Sequence, residues 1–416
     1  MNQRKSLYVY IFIGLLCVLN LQAMQDPQTP TKKHFFSVSQ RGKLSEDLLS
    51  PGMRYISEAW LTLTAKTHDL SVVNTPSRSF IFINFDIITY PLILKELKKA
   101  KNAGVQVHIV ISPESIKYFK NNNTEIQDAL VQLKSHIFIP SKKYTNNHLK
   151  LGLWSYIDKE NIQEFWSSVG SSNISMHGLF HNNEVNEVTS GSPQSFSKLK
   201  DIFDTVYAQS QLYDPEKRAK PFKDDLTKDW FETTIKEVVQ QTPSKARYYT
   251  SAEYRPWASF AQRFKKLKKD DVVIVSSFTY NDSDFTKKLV ELSKQGIEIL
   301  LFVDKTVLTN KKSSLQLTDL NKAGVKTYVY AGVGSRKIHH AKFGLIDRKS
   351  DATKIVYGST QNISENNKNI ELFWMYSNDP ESFAQYEKTV QNYISDTVQW
   401  SLLKEQCLFG EKRKRE

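Results

Sequence analysis

The sequence predicts an α/β fold made of two copies of one unit, each a mixed sheet flanked by helices, joined about a pseudo-twofold axis. Three observations carry this expectation. His148-Leu-Lys150 and His340-Ala-Lys342 are the two places, among nine histidines, where a lysine follows two residues on, and they stand 192 residues apart. Gly104 and Gly296, each lying between a helix-like segment and an apolar run, are also 192 residues apart. Each His-x-Lys is followed by a Gly-Ser stretch that ends in Asn-Ile-Ser, at Gly170 to Ser175 and Gly358 to Ser364. A strand, a helix end and a motif repeating in register imply a duplicated unit, with half of a site in each copy.

The chain opens with Arg4 and Lys5, an apolar run from Leu7 to Leu21, and a small-residue end at Ala23. Residues 1–23 therefore read as a secretory signal cleaved after Ala23, and the mature protein is expected to be exported, periplasmic or secreted. The alternative is an uncleaved anchor, for which the run is short against the ~20 apolar residues of a span. Residues 24–52, with Pro27, Pro30 and Pro51 and few periodic apolar positions, read as a tether.

The first unit is expected over 53–210. Ser79 to Asn84 is an apolar run suited to a strand covered on both faces. Pro91 opens a helix that turns Leu92, Leu94, Leu97 and Ala100 inward and Lys95, Lys98 and Lys99 outward, and Gly104 ends it. A strand at Val105 to Ser112, a helix at Thr124 to Leu133, and strands at His136 to Ile139, His148 to Trp154 and Phe165 to Gly170 follow. Residues 211–262, carrying Pro215, Pro221, Pro243 and Pro256, read as a connecting segment with a helix over Asp229 to Gln241.

The second unit, 263–400, repeats the order. Strand Val272 to Ser276, helix Asp284 to Lys294, strand Ile297 to Val303, helix Leu315 to Ala323, strand Lys326 to Tyr330, then strands Ile338 to Asp347 and Lys354 to Gly358 are expected. Residues 401–416 form a basic tail.

With 24% charged and 40% hydrophobic residues, the chain has a globular composition. Its cysteines, Cys17 in the signal and Cys407 near the C-terminus, leave no pair for an internal disulfide in the mature chain. The net charge of +13, or +11 without Arg4 and Lys5, favours polyanionic partners such as nucleic acid or anionic headgroups. The lysine-rich runs at Arg263 to Lys269 and Lys412 to Arg415 read first as solvated surface.

The chemistry lies in His-x-Lys. Residues i and i+2 of a strand point to one face, so the motif delivers an imidazole and an ammonium side by side. The lysine stabilises non-bridging phosphate oxygens, while the imidazole attacks phosphorus or protonates a leaving oxygen. A phosphodiester displacement needs both roles at once, and two copies meeting across the pseudo-twofold supply them.

These segments resemble the phospholipase D superfamily, whose signature is His-x-Lys-x4-Asp with a Gly-Ser…Asn segment and an acidic residue behind it. The second half matches with His340, Lys342, Asp347, Gly358-Ser359-Thr-Gln-Asn362 and Glu371. The first half has His148, Lys150, Gly170-Ser171-Ser-Asn173 and Glu184, but Ser155 stands where the aspartate belongs, with Asp158 three residues later. The resemblance covers roughly 53 to 400 and implies two phospholipase D-like units. It implies that one histidine forms a phosphohistidine while the other acts as acid and then base; motif order assigns attack to His148 and acid to His340. Lys150, Lys342, Asn173 and Asn362 would hold phosphate oxygens, Glu184 and Glu371 would orient the imidazoles, and neither metal nor cofactor is called for.

Plainer readings apply elsewhere. His177 and His181 form a loop pair without a third ligand, and Phe35, Phe36 and Trp257, like Trp154, Trp166 and Trp374, read as packing. The expected function is an exported phosphodiesterase acting on phospholipid headgroups as a monomer in transient contact with a membrane surface. A nuclease of the same superfamily and an inactive polyanion-binding scaffold are the alternatives.

Overall fold

The computed structural model describes residues 32–36, 51–74, 79–119, 124–140, 144–157, 163–175, 178–179, 182, 184–190, 193–215, 246–250, 256–330, 338–365 and 368–400. The expected signal, the Asp229 to Gln241 helix, the His177/His181 pair, Asp158 and the basic tail lie outside these residues.

The first unit contributes β1 (Lys32–Phe36), β2 (Phe80–Phe85), β3 (Gln106–Ile111), β4 (His136–Phe138), the short β5 (Asn146–Asn147), β6 (Lys150–Ile157), β7 (Gln163–Gly170), β8 (Val185–Ser190) and β9 (Ser210–Leu212). The second contributes β10 (Ala246–Thr250), β11 (Val272–Ser277), β12 (Glu298–Asp304), β13 (Lys326–Tyr330), β14 (Phe343–Arg348), β15 (Thr353–Ser359), the short β16 (Asn369–Ile370), β17 (Leu372–Ser377) and β18 (Thr397–Gln399). The sheets run β1-β8-β7-β6-β2-β3-β4-β9 and β10-β17-β15-β14-β11-β12-β13-β18, the same topology strand for strand. Both are mixed: β2, β3 and β4 are parallel, as are β11, β12 and β13, and the remaining pairs are antiparallel. The duplicated, mixed α/β architecture is the one the sequence predicts.

Local chemistry explains the repeat. Strands β2 and β11 are apolar and buried almost throughout, as central strands covered on both faces must be. The helix after β2 spans Pro91–Asn102, with proline at its first turn, and the helix after β11 spans Ser283–Lys294, where the Asp282 carboxylate accepts from Asp284 N and Phe285 N. Both helices stop where Gly104 (φ 90°) and Gly296 (φ 82°) take the left-handed conformation.

The structure corrects several expectations. The tether contains β1, and the connecting segment contains β10; each pairs antiparallel with the last long strand of its unit, β8 or β17. Five-residue edge strands carry too little local pattern to declare themselves without the partner they pair with. Pro51–Asn74 is a 24-residue helix across the expected tether boundary. Its buried Ile56, Trp60, Leu63 and Thr67 follow the 3.6-residue period, with threonines masking the apolar stripe. In the Pro91–Asn102 helix Ile93 faces inward, and Leu92 is exposed. Both motif histidines precede their strands: β6 begins at Lys150, the lysine of the first motif, and β14 at Phe343, just past the second.

Outer helices cover one face of each sheet, around Trp60 and Leu97 in the first unit and Phe285 and Leu317 in the second. The inner faces share one apolar cluster, which takes Leu151, Val169, Phe203 and Val206 from one unit and Phe343, Val356, Tyr386 and Tyr393 from the other. The helices Pro193–Tyr207 and Pro380–Asp396 lie in this shared layer. At its centre Glu187 of β8 accepts Trp374 Nε1–H at 2.9 Å, Tyr386 O–H at 3.0 Å and the Tyr376 hydroxyl. Among the described residues no helix is long and apolar enough to cross a membrane.

Removing the Glu187 carboxylate strands several buried donors at once. Glu187→Ala is expected to cost at least ~3 kcal/mol of unfolding free energy, read from urea or guanidinium titration. A loss below ~1 kcal/mol would show that the donors find other partners.

Candidate active site

The site is assembled where one short strand from each unit pairs across the unit boundary. Strand β5, just ahead of His148, pairs in parallel with β16, just ahead of Glu371, so Asn146 faces Asn369 and Asn147 faces Ile370 across the unit boundary. Thr145 N donates to Lys368 O at 3.0 Å, and His148 N donates to Ile370 O at 2.9 Å. The backbone of one unit thus sets the histidine of that unit beside the glutamate of the other.

Both imidazoles are held this way. His148 Nδ1 lies 2.8 Å from Glu371 Oε2, and His340 Nδ1 lies 2.9 and 3.0 Å from the two oxygens of Glu184. An ionised carboxylate only accepts, so each Nδ1 carries the hydrogen and each Nε2 is left for chemistry. The carboxylates are in turn oriented: Ser171 Oγ donates to Glu184 Oε2 and Thr360 Oγ1 to Glu371 Oε2, both at 2.6 Å. The pairing is crossed, a feature the motif order alone does not reveal.

Burial sets the charge states. Lys150 is 1% exposed and Lys342 fully buried, and each Nζ donates to the carbonyl of its own motif histidine, at 2.9 and 2.6 Å. Desolvation pulls Lys342 down to about 7, with Lys150 adding to the effect and Glu184, Glu371 and Asp86 opposing it. Lys150 moves down for the same first reason, opposed by Asp86 and both glutamates. Residues from both units therefore act on each lysine, as one shared site requires. Burial opposes the charges of Glu184 and Glu371, but their imidazole and lysine neighbours outweigh it and hold both carboxyls below the usual range. Burial, reinforced by Lys342 and opposed by Glu184, lowers His340 to about 4, so it is neutral at pH 7.

Asn173 and Asn362 occupy matching places. Asn173 Oδ1 accepts Ile87 N at 3.2 Å and Asn362 Oδ1 accepts Thr279 N at 3.3 Å, which leaves each Nδ2 as the donor available to a phosphate oxygen. The hydroxyl contacts also fix the alignment of the two Gly-Ser segments. Ser171 N donates to Val185 O and Thr360 N to Leu372 O, both at 2.8 Å, so Thr360, and not Ser359, is the counterpart of Ser171.

The structure does not bring Asp347 to this centre. It sits five residues past Lys342 along β14, roughly 16 Å at the rise of a strand, and pairs with Lys349 at the far end of the sheet. Its first-unit counterpart Ser155 is buried and donates to Glu164 O at 2.8 Å. Exchange of aspartate for serine there changes a remote sheet contact and leaves the imidazoles, lysines and glutamates in place. Beyond the candidates named from the sequence, Ser171 and Thr360 orient the glutamates, and Asp86 and Phe278 face the imidazoles; Asp86 and Phe278 share the 192-residue spacing, whereas Thr360 stands 189 residues after Ser171.

One centre built from two copies of an α/β unit, each lending a histidine, a lysine, an asparagine and a glutamate, defines a class of duplicated phosphodiester-type sites. The family model described as "Cardiolipin synthase, PLD-like domain" matches residues 73–207 and again 261–394, and the chain belongs to this family within the phospholipase D superfamily. Among solved structures, phosphatidylserine synthase of Haemophilus influenzae Rd KW20 is similar, with a TM-score of 0.54 and 11% identity over 82% of this chain and 85% of that one. Polyphosphate kinase from Porphyromonas gingivalis has a TM-score of 0.51 and 10% identity over 87% of this chain and 49% of that one, so the chain spans about half its length. These likenesses show a shared fold. Among curated protein sequences none matches the chain.

The charge states dictate a pH response. An ammonium at Lys342 is present below about 7 and lost above it, whereas His340 gains a proton only near 4. For a diester substrate kcat/KM is expected to fall as pH rises past about 7 and to hold between about 5 and 7. A flat profile from pH 6 to 9 would remove Lys342 protonation from the rate.

Proposed function

We propose that the protein is a phosphodiesterase that acts on phospholipid headgroups through a covalent phosphohistidine intermediate. The observation that carries this reading is the crossed pairing, which sets each imidazole against the other unit's glutamate by its Nδ1 and keeps a buried lysine beside each histidine. One imidazole attacks phosphorus as the other protonates the departing alcohol, and the second imidazole then activates water or an acceptor alcohol. The lysines and amides neutralise the charge that builds on the phosphorane oxygens, in a site dry enough to make each contact count.

The family's description supports a lipid substrate over nucleic acid. The net charge of +13 is the one observation favouring a nuclease. Export follows from the N-terminal sequence, transient contact with a membrane surface follows from a lipid substrate, and a monomer suffices because one chain completes the site. Hydrolysis and headgroup transfer share the same first step and differ in the acceptor.

The test is an assay of purified protein in EDTA against phosphatidylcholine, cardiolipin and single-stranded DNA, beside a His148→Ala/His340→Ala control. Headgroup release from lipid is expected, with a loss of ~10³-fold or more in the double variant. Turnover of DNA alone would establish the nuclease, and turnover unchanged in the double variant would remove the two histidines from the reaction.

A further inference from the structure

The two halves of the site differ at one matching place. The turn after β2 carries Asp86, and the turn after β11 carries Phe278, 192 residues further on. Asp86 is 7% exposed and firmly held: its Oδ1 accepts Asn146 Nδ2–H at 3.3 Å, and its carbonyl accepts the Ser115 hydroxyl at 2.5 Å. Its Oδ2 lies 3.9 Å from His148 Nε2, the nitrogen that Glu371 does not occupy. Phe278 puts a ring against His340 instead, 5.2 Å between centroids at 57°, with Lys342 Nζ 5.9 Å from the same ring.

We propose that His340 is the nucleophile and His148 the general acid, with Asp86 a positioning residue that keeps a proton on His148 Nε2 for the leaving oxygen. This rests on the phosphohistidine reading above and reverses the roles that motif order suggests.

The physical argument is one of opposite surroundings. His148 has a carboxylate facing each ring nitrogen, Glu371 at Nδ1 and Asp86 at Nε2, so an N–H on either side points toward a negative charge, with the Lys150 ammonium close to its backbone carbonyl. Among the described residues His340 has a carboxylate, that of Glu184, at Nδ1 and none at Nε2. Among the described residues its other neighbours include the Phe278 ring, the Lys342 ammonium and the buried His339, none of which carries a negative charge. Its neutrality at pH 7 leaves a lone pair on Nε2. A histidine that becomes protonated only near pH 4 is a poor acid for a reaction at neutral pH and a ready nucleophile.

The steps balance without an added reagent. His340 Nε2 attacks phosphorus and forms an N–P bond; the P–O bond to the leaving alcohol breaks, and that oxygen takes the Nε2 proton of His148. Neutral His148 then removes a proton from water or an acceptor alcohol as its oxygen attacks phosphorus. The N–P bond breaks, its electron pair returns to His340 Nε2, and His148 is again protonated beside Asp86.

A p-nitrophenyl phosphodiester separates the roles, because its leaving group departs without a proton. His148→Ala, with His148→Asn as a second variant, is expected to release about one p-nitrophenolate per site in a burst and to carry the phosphoryl adduct on His340, read by alkaline quench and peptide mass spectrometry. His340→Ala is expected to show neither. An adduct on His148 in His340→Ala overturns the assignment while keeping the phosphohistidine reading. Absence of an adduct from the wild type and every variant overturns both. Asp86→Asn is expected to lose on the order of 10-fold or more on an alkyl diester with a poor leaving group and to stay within about twofold on the p-nitrophenyl ester. Equal losses on the two substrates would give Asp86 a structural role and remove it from the proton path.

Discussion

The structure depends on the exchange of histidine–carboxylate pairs between its two units. Each imidazole is completed by a glutamate that its own unit does not supply, and the β5–β16 ladder fixes that exchange at the backbone. Buried carboxylates and lysines are costly unless every one is paired and hydrogen-bonded. Here the pairing is satisfied only when the units meet in one register, so the same contacts that orient the imidazoles also determine how the sheets face each other. The shared apolar cluster contributes burial, and the crossed pairs select which burial is accepted.

The charge balance of the centre follows from this. Two glutamates and Asp86 stand against two lysines and the imidazoles in a largely buried site. Lys342, drawn down to about 7, is held as a cation mainly by its acidic neighbours. An incoming phosphodiester brings a further negative charge to this place and favours the protonated lysines. Substrate binding and the charge state of the site therefore reinforce each other.

Much of this was legible in the chain. The 192-residue register of His-x-Lys and of Gly104 with Gly296 revealed the duplication, because helix ends and buried strands leave strong local patterns. The histidines and lysines stood out by their spacing, and the asparagines and glutamates followed from the resemblance to the phospholipase D superfamily. What escaped was non-local. Strands β1 and β10 exist through their partners, the crossing of Glu184 to His340 and Glu371 to His148 is a property of assembly, and Asp347 keeps its place in the motif while lying at the other end of its strand. The extra residue in Gly358 to Asn362 hid the equivalence of Thr360 and Ser171 until their shared contacts with the glutamates resolved it.

Glu187 and Trp374 have one more consequence. Counted from the paired glutamates at 184 and 371, they occupy the same position in their two units, yet they bond to each other across the boundary. Two first units set face to face would oppose carboxylate to carboxylate in an apolar layer, and two second units would oppose indole to indole with no acceptor between them. In the folded chain these matching positions form one complementary donor–acceptor contact. Unlike side chains at matching positions thus favour the pairing of a first unit with a second over the pairing of two like units.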